Sequence, residues 1–211
     1  TLAETLSNSC RAITGDVTDR ESIEAAFSEA TTTFGPVEIL INCAGVAPSA
    51  PFHRIEFDDW QKTLDVNLNG VFHCTQIALG DMKASGWGRI VTIASTASLK
   101  GFAYVSGYCA SKHAALGLTR ALALETAQQG ITVNAICPGY VDTDIVRDSI
   151  QGIMAKTGRS EAEALQHFTQ SNPQGRLIEA SEVAASVSWL CSEGAASVTG
   201  QAIAIDGGST A

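Results

Sequence analysis

The sequence is poor in aromatic residues, which make up 6% of its 211 positions, and poor in bases, with 13 Lys and Arg against 22 Asp and Glu. The formal charge of −9 argues against a nucleic-acid surface as the main function. No Cys-x-x-Cys pair occurs among the six cysteines, Cys10, Cys43, Cys74, Cys109, Cys137 and Cys191. The four histidines, His53, His73, His113 and His167, show no metal-ligand spacing, so no metal site is expected. Nothing reaches the run of about 18 apolar residues that a membrane span requires. Thr1 to Asn8 lacks the basic-then-apolar form of a signal peptide. Repeats, low-complexity tracts, like-charge runs and linkers are also missing. The expectation is a single cytoplasmic domain with buried, reduced thiols, touching neither nucleic acid nor membrane.

What is present is a 45% hydrophobic content and 19 glycines, enough for a full core with many tight turns. Apolar runs alternate with helical patterns along the chain. Strands are expected at Cys10 to Val17, Val37 to Cys43, Arg89 to Ala94, Ile131 to Ile136 and Ala202 to Ile205. The run at Val37 to Cys43 predicts a parallel strand covered on both faces. Helices are expected after Thr18, where Thr18 and Glu21 suggest a capping box, and over Asp58 to Ala84, Tyr104 to Gln129 and Ser181 to Cys191. This order predicts an α/β fold, a doubly wound parallel sheet in one domain spanning 1–211. Residues 140–180 depart from the rhythm, with short helical patterns at Ile145 to Lys156 and Ser160 to Gln170, and predict a flap rather than a second domain.

Polar residues of chemical interest cluster just after strand ends, where open α/β sheets bind ligands. Tyr108 and Lys112 are spaced to share one helix face. A phenol titrates near pH 10 and is a poor base at neutral pH. A nearby ammonium favours the phenolate and makes the pair a tunable proton donor and acceptor. Ser95, thirteen residues ahead of Tyr108, could hold a substrate oxygen beside the phenol, with Ser98 as its competitor. Tyr104 lacks a lysine partner, which assigns it to core packing or a pocket wall. Cys109 adjoins Tyr108 and could be a reactive thiol. Asn67 falls mid-helix and, on local grounds alone, belongs on the surface. Asp16 could simply cap the helix that follows, and Pro138-Gly139 could be a plain turn.

Taken together, Asp16-Val17, Asn42-Cys43-Ala44-Gly45, Asn67 in Val-Asn-Leu-Asn-Gly-Val-Phe, Ser95, Tyr108-Cys-Ala-Ser-Lys112, Pro138-Gly139-Tyr-Val-Asp-Thr143 and Asp206-Gly207-Gly208 resemble the short-chain dehydrogenase/reductase family over essentially the whole chain. The resemblance implies a Rossmann-like oxidoreductase using NAD or NADP. It makes Tyr108 the general acid/base, and has Lys112 lower the phenol's pKa and bind the nicotinamide ribose. Ser95 would polarise the carbonyl, and Asn67 would support a water-linked proton path through Lys112. The cofactor would be held by Asp16 at the adenine amino group and by Val17, Asn42, Ala44 and Gly45. Tyr108 and Lys112 would join them, with Pro138, Gly139, Val141 and Thr143 at the carboxamide. Asp206-Gly207-Gly208 would be structural. A homotetramer packed through the long helices is also implied.

The sequence departs from the family pattern in two places. Cys43 stands where a second Asn is usual. The glycine-rich Thr-Gly-x-x-x-Gly-x-Gly turn, with the first strand, helix and second strand, is not found. That turn supplies the amides that receive pyrophosphate at a helix N-terminus, so the native protein is expected to carry residues beyond those given. The implied reaction interconverts a secondary alcohol and a ketone, with a 3-hydroxy or 3-keto acyl substrate, free or as a thioester. A polyketide-type ketoreductase is the near alternative. A non-catalytic binding or scaffold protein with a lost nucleotide site is the alternative of a different class.

Overall fold

The computed structural model describes residues 10–211. Among these, four strands form one parallel sheet in sequence order: β1 (Ile39–Asn42), β2 (Gly88–Ile93), β3 (Ile131–Pro138) and β4 (Ala202–Ile205). Register is set by pairs such as Ile41 with Val91, Val91 with Asn134 and Ile136 with Ile203. All eight residues of β3 are buried, because this uncharged strand is paired on both edges and covered on both faces.

Helices cover both faces. On one, α1 (Arg20–Phe34), α3 (Gly70–Ser85) and α4 (Ser106–Thr126) enclose a core of Ala78, Met82, Ile90, Leu122, Ala123, Ile131 and Val133. On the other, α7 (Ala180–Leu190) closes over Val91, Ile136 and Leu190. Successive strand residues thus feed opposite cores, as the two-residue period requires. The doubly wound single-domain expectation is borne out.

Several local expectations are corrected. Cys10 to Val17 forms no strand, since among the described residues β1 pairs only with β2 and gives this segment no ladder partner. The same open edge leaves Ile39 and Ile41 exposed, so β1 is not covered as its apolar run suggested. The cap of α1 is Asp19, whose carboxylate accepts the Glu21 and Ser22 amides, and not Thr18. The long helix over Asp58 to Ala84 is interrupted. It comprises α2 (Phe57–Leu64), a π-turn at Asp65–Asn69, and then α3. Two of the six thiols expected to be buried, Cys10 and Cys43, are exposed.

Residues 140–180 contain α5 (Asp144–Thr157) and α6 (Glu161–Thr169), which share a small core of Val146, Ile150, Ala164 and Phe168. An isolated bridge between Val141 and Ile178 pairs the two ends of this segment. Gly207, in a left-handed turn at φ +64, lies so close to the Asn172 amide that a Cβ there has no room. The Asp206 carboxylate organises that turn by accepting the Gly208 amide and the Ser209 and Thr210 hydroxyls. Among the described residues, no helix is long and apolar enough to cross a membrane.

Candidate active site

The π-turn decides where Asn67 goes. One extra residue in the turn closes an i→i+5 hydrogen bond from the Gly70 amide to the Asp65 carbonyl. Asn67 is completely buried there, contrary to the surface placement that local propensity suggests. Its Nδ2 donates to the Val46 carbonyl at 2.9 Å and to Ser111 Oγ at 3.0 Å, and its Oδ1 accepts the Val46 amide at 2.9 Å. Ser111 Oγ in turn donates to the Tyr108 carbonyl at 2.8 Å. The loop after β1, the π-turn and the first turns of α4 are thereby joined through two side chains.

Lys112 is 4% exposed and donates from Nζ to the Ile93 carbonyl at 2.8 Å. Burial lowers its pKa to about 8, with smaller opposing influences from Cys43 and Cys137. Its Nζ lies 5.7 Å from the Tyr108 ring centroid, so the helical spacing does bring the two side chains together. The direction of the shift differs from the expectation, however. Burial pushes the Tyr108 phenol above its ordinary value, and the Ser95 hydroxyl pulls it back. The ammonium is held by Ile93.

Ser95 sits just beyond β2 in extended backbone, and its Oγ accepts the Ala97 amide at 3.0 Å. Ser95 rather than Ser98 acts on the phenol; among the described residues the buried Ser98 hydroxyl has no partner. A phenol, a hydroxyl and a protonated amine at one sheet edge can exchange a proton with a bound oxygen and hydrogen-bond it. Tyr104 is not core: it is 66% exposed and, among the described residues, alone outside glycine in having a positive φ, 67°.

The remaining predicted residues fall into three groups. Gly45 lies against the centre: a Cβ built on it would be 3.4 Å from Asn67 Oδ1 and 3.6 Å from Lys112 Nζ, with Ala44 immediately before it. Asn42 is buried, and its amide donates to Thr75 Oγ1 at 3.1 Å and Thr92 Oγ1 at 3.4 Å, bracing α3 against β2. Pro138 ends β3, and Gly139 donates to the Ile205 carbonyl at 3.0 Å. Val141 bridges to Ile178, and the Thr143 hydroxyl donates to the Val141 carbonyl at 3.3 Å, at the start of α5.

Asp16 and Val17 lie apart from this centre. The Asp16 carboxylate accepts the Thr18 amide at 2.9 Å and its hydroxyl at 2.7 Å, and these bonds hold its pKa below the ordinary carboxylate value. It lines an open hollow of about 350 Å³ with Thr18, Asp58, Gln61, Lys62, Asp65 and Val66. Val17 packs on Gly70, where a Cβ would lie 2.9 Å from its side chain. Ser111, Val46 and the Ile93 carbonyl were not singled out by sequence reasoning. Only Ser111 has a sequence signal, its place one residue before Lys112 on the same helix; the other two act through backbone atoms that any side chain would provide.

Comparison with known proteins agrees with this geometry. A family model described as Enoyl-(Acyl carrier protein) reductase matches residues 1–210. A putative ketoacyl reductase of Streptomyces coelicolor is 40% identical over 200 residues, covering 92% of this chain and 76% of the relative. D-beta-hydroxybutyrate dehydrogenase of Cupriavidus necator is 37% identical over 194 residues, covering 92% and 75%. A crystal structure of a singly substituted actinorhodin polyketide ketoreductase with NADPH superposes with a TM-score of 0.89 at 39% identity, covering 93% of this chain and 76% of that one. With this match and these hydrogen-bonded residues at the strand ends, the chain belongs to the short-chain dehydrogenase/reductase family.

Proposed function

We propose that the protein is an NAD- or NADP-dependent oxidoreductase that interconverts a secondary alcohol and a ketone. The observation that carries this reading is the meeting of Ser95, Tyr108 and Lys112 with the buried Asn67 at the carboxyl ends of β1 and β2. The nicotinamide, when bound, supplies the hydride chemistry. Two features of the chain suit such a group. Lys112 has three N–H donors and one protein acceptor, leaving two for ribose hydroxyls. Gly45, lacking a side chain, keeps open the space beside Lys112 Nζ.

Tyr108 is the general acid/base, passing its phenolic proton to the substrate oxygen in reduction and recovering it in oxidation. Ser95 donates a hydrogen bond to the same oxygen as negative charge develops there. Asn67 holds the loop after β1 and supports a water-linked proton path that ends at Lys112. Asp16 receives the adenine amino group with Val17 beside it, while Asn42, Ala44 and Gly45 line the cofactor's course. Pro138, Gly139, Val141 and Thr143 hold the carboxamide end.

The substrate is a 3-hydroxy or 3-keto acyl compound, admitted under a flap formed by residues 140–180. The names of the hydroxybutyrate and ketoacyl relatives support this class. The ketoreductase relatives also support a second reading, in which the acyl group arrives on a polyketide carrier. A homotetramer in the cytoplasm is part of the proposal. Phe57, Phe72 and Leu124 on α2, α3 and α4 are exposed and provide apolar surface for contact between copies. Light scattering that returns a monomer rejects the assembly. The activity is tested by a panel of free, thioester and carrier-bound 3-keto acyl substrates with NADH and NADPH, followed at the nicotinamide absorbance. Turnover confined to carrier-bound substrates selects the second reading, and no turnover of any member rejects the substrate class.

A further inference from the structure

We propose that Ser111 is a positioning residue that fixes the Asn67 amide and locks it to the turn carrying Tyr108. This rests on the oxidoreductase reading of the same site. The inference starts from hydrogen-bond capacity. Asn67 is fully buried, so water is not at hand for any group it leaves unpaired. Its amide has two N–H donors, and only two acceptors meet them: the Val46 carbonyl and Ser111 Oγ. Ser111, also fully buried, has one hydroxyl proton, and that proton goes to the Tyr108 carbonyl. The chain of donors therefore has one direction, from Asn67 through Ser111 to the backbone of Tyr108.

The Val46 amide and carbonyl already set which way the Asn67 amide faces. With the Ser111 proton committed to Tyr108, its oxygen accepts the second Asn67 N–H and ties the amide to the turn carrying Tyr108. The position of a Cβ on Gly45 places Asn67 Oδ1 and Lys112 Nζ on the border of one common space. An oxygen bordering the ammonium favours its protonated form, so how firmly the Asn67 amide is held bears on Lys112. Ser111 thus acts on the reaction through Asn67 and through the placement of the Tyr108 turn, without touching the reacting atoms.

Ser111→Ala replaces a hydroxyl by a smaller group and leaves the Val46 bonds in place. The first measurement is hydrogen exchange of the Asn67 side-chain amide by nitrogen-15 NMR, on the intact protein with and without the substitution. Exchange at least about tenfold faster in Ser111→Ala is expected, because one buried N–H loses its acceptor. Unchanged exchange overturns the proposal. The second measurement is a double-substitution cycle on turnover. Ser111→Ala should lower kcat by about tenfold to a hundredfold, the scale of a small misplacement, with KM held within about twofold. The effect should vanish in an Asn67→Ala background. An equal loss in both backgrounds, or no loss in either, overturns it. If the wild-type protein turns over no alcohol or ketone, the oxidoreductase reading fails, and the exchange measurement still decides the role of Ser111.

Discussion

The two ends of the proposed site are built differently. Around Tyr108 and Lys112, hydrogen bonds join residues far apart in sequence: Asn67 to Val46, Asn67 to Ser111, and Lys112 to Ile93. Asn67, Ser111 and Lys112 are buried, and Val46 and Ile93 are half-buried. Around Asp16 the carboxylate is exposed and, among the described residues, bonds only to Thr18, two residues on. The proposed proton-transfer end is therefore fixed by the core of the domain, whereas the proposed adenine end is a local turn on an open hollow. Changes at the first end should alter chemistry and folding together; changes at the second should alter affinity alone.

The largest expected break is at the phenol. Tyr108→Phe should lower kcat by about 10²- to 10⁴-fold, the usual contribution of a positioned acid/base, with the cofactor dissociation constant unchanged. Steady-state kinetics beside cofactor titration checks this, and near-normal turnover removes Tyr108 from the mechanism.

Lys112 sharpens the comparison through stability. Its folded-state pKa of about 8 lies below the ordinary 10.5, so burial favours the neutral amine. Below pH 8 the lysine is charged in both states and the full penalty is present. Between about 8 and 10.5 the unfolded chain binds more protons, so stability rises with pH. The penalty is on the order of 3 kcal/mol. Lys112→Met should therefore be more stable than wild type at pH 7 by up to about that amount, with loss of turnover, and the gap should close toward pH 10. Thermal unfolding across this range is the measurement.

A smaller effect is expected where residues 140–180 meet the turn after β4. Gly207→Ala should destabilise by about 1–3 kcal/mol, because its Cβ collides with the buried Asn172 amide. Denaturant unfolding with an unchanged midpoint would show that this contact is not formed. The smallest effect is at the adenine end. Asp16→Ala should weaken cofactor binding by about threefold to tenfold while leaving turnover of the saturated enzyme and thermal stability unchanged. A combined loss of stability and turnover there would break the distinction between the two ends.

Much of this architecture was legible in the residues. The strand expected at Ile131 to Ile136 is β3, and the Tyr108–Lys112 spacing places both on one face of α4. Other features depend on partners that periodicity does not reveal. Cys10 to Val17 has strand-like composition but, among the described residues, no neighbouring strand to bond. Asn67 has the propensity of a surface residue, and only the π-turn with Val46 and Ser111 makes its burial favourable. The influence of Lys112 on Tyr108 was inferred from spacing, yet burial of both groups outweighs their proximity. Spacing predicts who meets; it does not predict the dielectric in which they meet.

The most direct test is an ultraviolet titration of the Tyr108 phenol, isolated by difference against Tyr108→Phe in a protein with three tyrosines. Burial should hold the midpoint above 10 in the free protein. With oxidised cofactor bound, its positive ring beside the Lys112 ammonium should bring the midpoint clearly lower. A midpoint that stays above 10 in the bound state would contradict the account.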